Sequence, residues 1–210
     1  MINKNTLIKL FKAKGYELRY DPYYANIFGI RKYNGRVNRF DDVIGILKKR
    51  KDNEDFDLYT YQATTDPGIT YMKKLLNPKG TAILVEGQYK NAYKLGMHQG
   101  KIKALVQAKP VSVYRDDNLN NKHDPKSKIF TGMFGINIHR ASKNKILDLI
   151  GSWSAGCQVI QKYSDYKEFL DLCKTSEIQH GNRFNYTLFN EIDYINMIQA
   201  NPMGLEKIKR

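Results

Sequence analysis

The chain has 210 residues, with 35 Lys and Arg against 21 Asp and Glu, for a formal net charge of +14. That length can bury a proper core without covalent staples, and with two cysteines in unlike contexts, Cys157 and Cys173, neither a disulfide framework nor a cysteine-based zinc site can be read in the sequence. The positive balance favours anionic polymers as partners, such as nucleic acid, anionic lipid or bacterial wall, but it names no reaction.

Met1 to Tyr16 carries Lys4, Lys9, Lys12 and Lys14 among its apolar positions, so no signal-peptide h-region can form there. No stretch reaches the roughly 18 apolar residues that would span a bilayer, and the expectation is a soluble product made in the cytoplasm. Leu7, Ile8, Leu10 and Phe11 fall at helical spacing behind Asn5, a candidate N-cap, and Gly15 can close the helix, predicting an amphipathic element over 1–15. Asn26 to Ile30 reads as a strand and Asn34-Gly35 as a tight turn, while Asp41 to Lys51 fits no single type.

The middle of the chain holds short β signals separated by glycine: Thr81 to Val85, Lys103 to Gln107, Val111 to Tyr114, and Gly135 to His139. Arg115 to Lys128 is polar and aperiodic, hence a loop. Within it Asp116, Asn118 and Asn120 alternate like the start of a calcium loop, but Asn121 and Ser127 stand where the glycine and glutamate of such a loop belong, which favours a solvated loop. Tyr166, Phe169, Leu170 and Cys173, three and four apart behind Ser164, mark a helix with Cys173 on its buried face. Phe184 to Phe189 reads as a final strand. Together these signals predict one α+β domain with a mainly β core and a few peripheral helices.

Chemistry concentrates around Cys157. It follows Trp153-Ser154-Ala155-Gly156 and precedes Gln158, a run of small residues that lets the backbone turn sharply beside a reactive group. His139 ends the apolar run Phe134 to Ile138, where a rigid strand can aim an imidazole. A free thiol with a pKa near ~8.5 is mostly unreactive at neutral pH, and an adjacent histidine is the usual activator; an activated thiolate would alkylate well below pH ~8. Oxyanion support would come from the backbone amides of Gly156 and Cys157. His98, flanked by Gly96 and Gly100, is a candidate substrate contact, and Trp153 a candidate wall of the site. His123 and His180 have no companions at useful spacing and are assigned to the surface. The residues suggest no metal or other cofactor.

The arrangement of a strand-borne histidine, a loop and then Ser-x-Gly-Cys resembles the catalytic signature of the L,D-transpeptidase (YkuD-type) domain. The resemblance is strongest over 134–159, with Asp66-Pro67-Gly68 matching a Pro-containing turn upstream, and implies a core of that type over 60–190. It makes Cys157 the nucleophile, His139 its base, the Arg140 carbonyl the group that orients the imidazole, and Ser154 and Gly156 supporting residues, with Ser154 and Gln158 facing the substrate. The family usually carries a second histidine where this chain has Ala155, and Arg or Asn where it has Val159, so the substrate is where the two would differ. The longer pattern, including Gly80 to Leu84 and Glu86 to Tyr89, is similar to bacteriophage proteins.

What the resemblance implies is an enzyme acting on peptidoglycan stem peptides through a Cys157 acyl-enzyme, with hydrolysis and transpeptidation both open. Its basic surface would hold it near anionic wall polymers, which it would reach after lysis-linked release or as part of a virion. The competing expectation is a virion structural or DNA-associated protein that keeps the fold without activity; nucleic-acid binding has charge behind it but no recognition motif.

Overall fold

The computed structural model describes residues 2–119 and 128–200. The first element, α1 (Lys4–Ala13), buries Leu7, Leu10 and Phe11 on one face. Its N-cap is Asn3, not Asn5: the Asn3 side chain accepts from the Thr6 N–H at 3.1 Å, which satisfies one of the helix's orphan donors. Gly15, at φ +66, ends the helix, and the Tyr16 N–H closes back on the Phe11 carbonyl at 2.9 Å.

In chain order there follow β1 (Ala25–Arg31), β2 (Asp42–Lys49), β3 (Phe56–Thr64), the short α2 (Ile69–Lys73), β4 (Thr81–Leu84), β5 (Gly87–His98), β6 (Ile102–Gln107), β7 (Val111–Asp116), β8 (Ile129–Gly132), β9 (Ile138–Arg140), β10 (Gln158–Ile160), α3 (Tyr163–His180), β11 (Phe184–Asn190) and α4 (Glu191–Gln199). Eight strands close into a barrel in the order β1-β11-β5-β6-β9-β10-β3-β2, and β4, β7 and β8 form a separate three-stranded sheet. Most pairs are antiparallel; β1 with β11 and β9 with β10 run parallel. The architecture is thus mixed α+β with a sheet-dominated core, as the sequence predicts. Among the described residues no helix is long and apolar enough to cross a membrane.

Alternate residues of the same strand serve two cores. Ile27, Ile44, Ile46, Tyr61, Tyr93 and Tyr186 cluster with Tyr166, Phe169, Leu170 and Cys173 of α3. Phe28, Ile30, Leu47 and Phe189 face the other way, against Leu7, Leu10 and Phe11 of α1 and Tyr194 of α4. Phe11 meets Phe189 edge to face at 5.0 Å. Fully burying each such side chain contributes about 1.5–3 kcal/mol, so the helix pair is held chiefly by this apolar face. Cover on both faces is why β1 reads as a continuous apolar run rather than an alternation.

Several elements depart from the sequence reading. Asp41 to Lys51 is mostly β2, and β3 and β5 were not signalled because their polar and aromatic residues give no clean period. The run Phe134 to Asn137 is not strand. There the buried Gln107 side chain substitutes for a ladder: its Oε1 accepts from the Phe134 and Ile136 N–H groups at 3.0 and 3.1 Å, and its Nε2 donates to the Lys109 and Gly132 carbonyls. Asp116, from the calcium-loop reading, ends β7 and is buried opposite Thr81; Asn120, Asn121, His123 and Ser127 lie outside the described residues. His180 is not a bare surface residue, since its Nε2 pairs with the Pro22 carbonyl at 2.8 Å and its ring meets Tyr24 edge to face.

Candidate active site

Parallel pairing of β9 with β10 places His139 directly beside Val159, and the turn that delivers β10 carries Cys157 two residues earlier on the same face. His139 is 2 % exposed and Cys157 8 %. The third member comes from the end of the long β5–β6 hairpin. His98 is its last β5 residue and pairs with Ile102 across a three-residue connection in which Gln99 (φ +50) and Gly100 (φ +69) take the left-handed conformation. One ring nitrogen each of His98 and His139 and the Cys157 sulfur all lie within 4.8 Å of one another, and the two imidazoles stack at 4.2 Å and 20°. His98, signalled in the sequence only by its glycine neighbours, therefore stands in the same site as the Cys–His pair.

The turn before the cysteine is built by Ser154. Its Oγ donates to the Cys157 carbonyl at 2.7 Å and accepts from the Gly156 N–H at 3.1 Å. Gly156 holds φ +125, and a Cβ there would sit 2.5 Å from the Ala82 carbonyl oxygen, so only glycine fits. The segment after β3 supports the turn from below, the Gly68 N–H donating to the Ser154 carbonyl at 2.8 Å. Two expectations are corrected by this geometry. The Gly156 N–H is already engaged by Ser154 and is not an oxyanion donor. Ser154, 1 % exposed, staples the turn and does not line a substrate surface.

Gln158 is corrected as well. It is fully buried, its Nε2 donating to the Gly156 and Thr65 carbonyls and its Oε1 accepting from Tyr186 at 3.0 Å, so it braces the turn from inside the barrel. Gly29 leaves room for that tyrosine, since a Cβ there would lie 2.2 Å from the Tyr186 hydroxyl. Trp153 is half-buried and packs with Phe40, Ala141, Ile150, Val159 and Cys157. Beyond Ala155 lies a cavity of about 340 Å³ lined by Ala82, Phe134, Tyr71 and Arg115 among others, which offers space beside the motif.

Hydrogen bonds fix the protonation pattern. His139 Nδ1 donates to the Arg140 carbonyl at 2.8 Å, so in the neutral ring Nε2 carries the lone pair, and that buried atom has no hydrogen-bond partner among the described residues. Arg140 turns its guanidinium away, to the Ala141 carbonyl and the face of Tyr163. The Cys157 S–H donates to the Gly135 carbonyl at 3.4 Å. Burial, with a contribution from neighbouring His98, pushes His139 down to about 4. Burial pushes Cys157 up to about 11. The resting pair is accordingly a neutral thiol and a neutral imidazole. This revises the expectation of a preformed thiolate, since burial favours the uncharged form of each group.

No family model and no curated protein matches the chain. The site must therefore be read from its own geometry.

Asn137 decides what His98 presents. The Gln107 backbone N–H donates to Asn137 Oδ1 at 2.8 Å, which turns the Asn137 amide nitrogen to His98 Nδ1 at 2.9 Å. His98 Nδ1 must then accept, and its proton sits on Nε2. Two histidines and a thiolate are a donor set suited to zinc or copper. Ligation through His98 Nε2 would, however, move its proton to Nδ1, against the Asn137 amide hydrogens. The Asn137 amide thus sets His98 Nε2 as a hydrogen-bond donor and not as a metal ligand. Asn137 and Gln107 were missed from sequence, because a polar residue within a strand-like run carries no special signal.

Proposed function

We propose that this protein is a cysteine-dependent enzyme acting on peptidoglycan stem peptides, of the L,D-transpeptidase (YkuD-type) kind and phage-encoded. The observation that carries the proposal is the buried His139 Nε2 lone pair, left open by the Nδ1 bond to the Arg140 carbonyl, on a ring with one nitrogen within 4.8 Å of the Cys157 sulfur. An acceptor without a partner among the described residues, buried on a ring beside a nucleophilic atom, costs stability and is what a general base requires.

In the reaction, the Cys157 sulfur forms a bond to the substrate carbonyl carbon while its proton passes to His139 Nε2. The carbonyl π pair moves to oxygen. Collapse of that intermediate breaks the C–N bond, and the leaving amine takes the proton back from His139. The thioester left on Cys157 is then released by water, deprotonated by the same nitrogen, or by an acceptor amine. Hydrolysis is the preferred outcome for a phage product, which gains from opening the wall; the charge of +14 would keep the enzyme near anionic wall polymers.

Purified peptidoglycan incubated with wild type and with Cys157→Ala, followed by mass spectrometry of the muropeptides, tests this directly. New cleaved or cross-linked stems should appear only with the wild type. Identical products from both would refute the enzymatic reading.

A further inference from the structure

With the Gly156 N–H engaged by Ser154, the developing oxyanion lacks one of the two donors expected of the turn. We infer that His98 supplies it: its Nε2–H, fixed as a donor by the Asn137–Gln107 relay, hydrogen-bonds the substrate oxygen as Cys157 attacks. The inference rests on the proposed acyl-transfer reading and adds a catalytic residue that the Ser-Ala-Gly-Cys turn does not contain.

Three features carry it. First, the relay leaves one tautomer, because a backbone N–H can only donate: Gln107 N–H to Asn137 Oδ1, then Asn137 Nδ2 to His98 Nδ1. Secondly, a ring nitrogen of His98 stands within 4.8 Å of the sulfur, so the ring borders the space that a carbonyl bonded to that sulfur would occupy. Thirdly, His98 is only half-buried whereas His139 is closed off, which divides the labour: the inner ring takes the proton and the outer ring meets substrate. The stack at 4.2 Å holds the two rings in register and disfavours a second positive charge beside a protonated His139, so His98 stays a neutral donor throughout.

The electron and proton balance of the step is unchanged. The carbonyl π pair still goes to oxygen and the thiol proton still goes to His139; His98 gives a hydrogen bond and keeps its proton. Removal of one such donor typically costs roughly 10²- to 10³-fold in kcat.

The test uses His98→Phe, which keeps a flat ring on His139 but has no donor, and His98→Gln, whose amide can donate. Three quantities are measured on folded protein: peptidoglycan hydrolysis, affinity for a peptide aldehyde that adds reversibly to Cys157, and the rate of Cys157 alkylation by iodoacetamide. In the aldehyde adduct the S–C bond forms as the carbonyl π bond breaks, so its oxygen occupies the oxyanion position. Alkylation passes through no oxyanion.

His98→Phe should lose on the order of 10²-fold in both kcat and aldehyde affinity, with KM and the alkylation rate within about threefold of wild type, and His98→Gln should recover about tenfold or more. Equal aldehyde affinity in wild type and His98→Phe would overturn the inference. So would a parallel fall in alkylation, which would mean that His98 acts on the thiol, or the absence of any Cys157 adduct in wild type. Because the aldehyde reads the donor without turnover, it separates this failure from the failure of the wall-enzyme reading, which the Cys157→Ala digest detects.

Discussion

The neutral resting state of the Cys157–His139 pair makes a quantitative claim about thiol reactivity. With Cys157 pushed up to about 11, a fraction on the order of 10⁻⁴ is thiolate at pH about 7.4, against roughly 7 % for an ordinary cysteine of pKa ~8.5. The ratio is roughly 300-fold. A thiolate of higher pKa is a better nucleophile, and a Brønsted coefficient of about 0.4–0.5 returns roughly 10- to 18-fold over that interval. Native Cys157 should therefore react with iodoacetamide about 15- to 30-fold more slowly than a free cysteine, and slower still for its 8 % exposure. The assay is a timed alkylation across a pH series, quenched and read by peptide mass mapping, which distinguishes Cys157 from the core residue Cys173. The rate should keep climbing beyond pH ~9 without a plateau. A rate that levels off below pH ~8 would show a preformed thiolate–imidazolium pair and refute the reasoning.

Three further outcomes follow from the geometry. Gly156→Ala combines a disfavoured φ of +125 with a Cβ 2.5 Å from the Ala82 oxygen, and should cost about 3–5 kcal/mol, against about 1 kcal/mol for Gly15→Ala at φ +66 with nothing within 4 Å; paired urea melts compare them. His139, depressed to about 4, binds protons more weakly folded than unfolded. The stability it contributes is complete above pH ~6.5 and is lost as pH falls towards ~4, by about 3 kcal/mol in all. Asp42, raised to about 7 by burial and by Asp66, acts in the opposite sense over that range, so the measured quantity is the wild-type melt minus that of His139→Gln at each pH. Arg31→Met should destabilise by about 3–5 kcal/mol in denaturant titration, since it removes the buried cation that faces Asp66 and Glu86 and leaves the Thr65 and Leu84 carbonyls without its N–H groups.

The legible part of the molecule is that in which local chemistry and tertiary role coincide. Leu7, Leu10 and Phe11 face one core, as do Tyr166, Phe169, Leu170 and Cys173, so helical spacing marked α1 and the buried face of α3. Gly156 was legible because a sharp turn demands a residue without a side chain. Gln158 and Ser154 were misplaced on the substrate side because their polar groups serve the barrel interior and the turn, which adjacency to a cysteine does not disclose.

Sequence alone determined that a cysteine sits in a glycine-bearing turn downstream of a strand-borne histidine, since both signals lie within short stretches of chain. Only the tertiary structure decided the rest of the site. Barrel closure brings His98 from a distant hairpin onto His139, Gln107 reaches across to set the Asn137 amide and so the His98 tautomer, and burial keeps thiol and imidazole neutral. Each depends on which groups meet across strands β5, β6, β9 and β10, and on how much water they exclude, quantities that no local pattern of residues encodes.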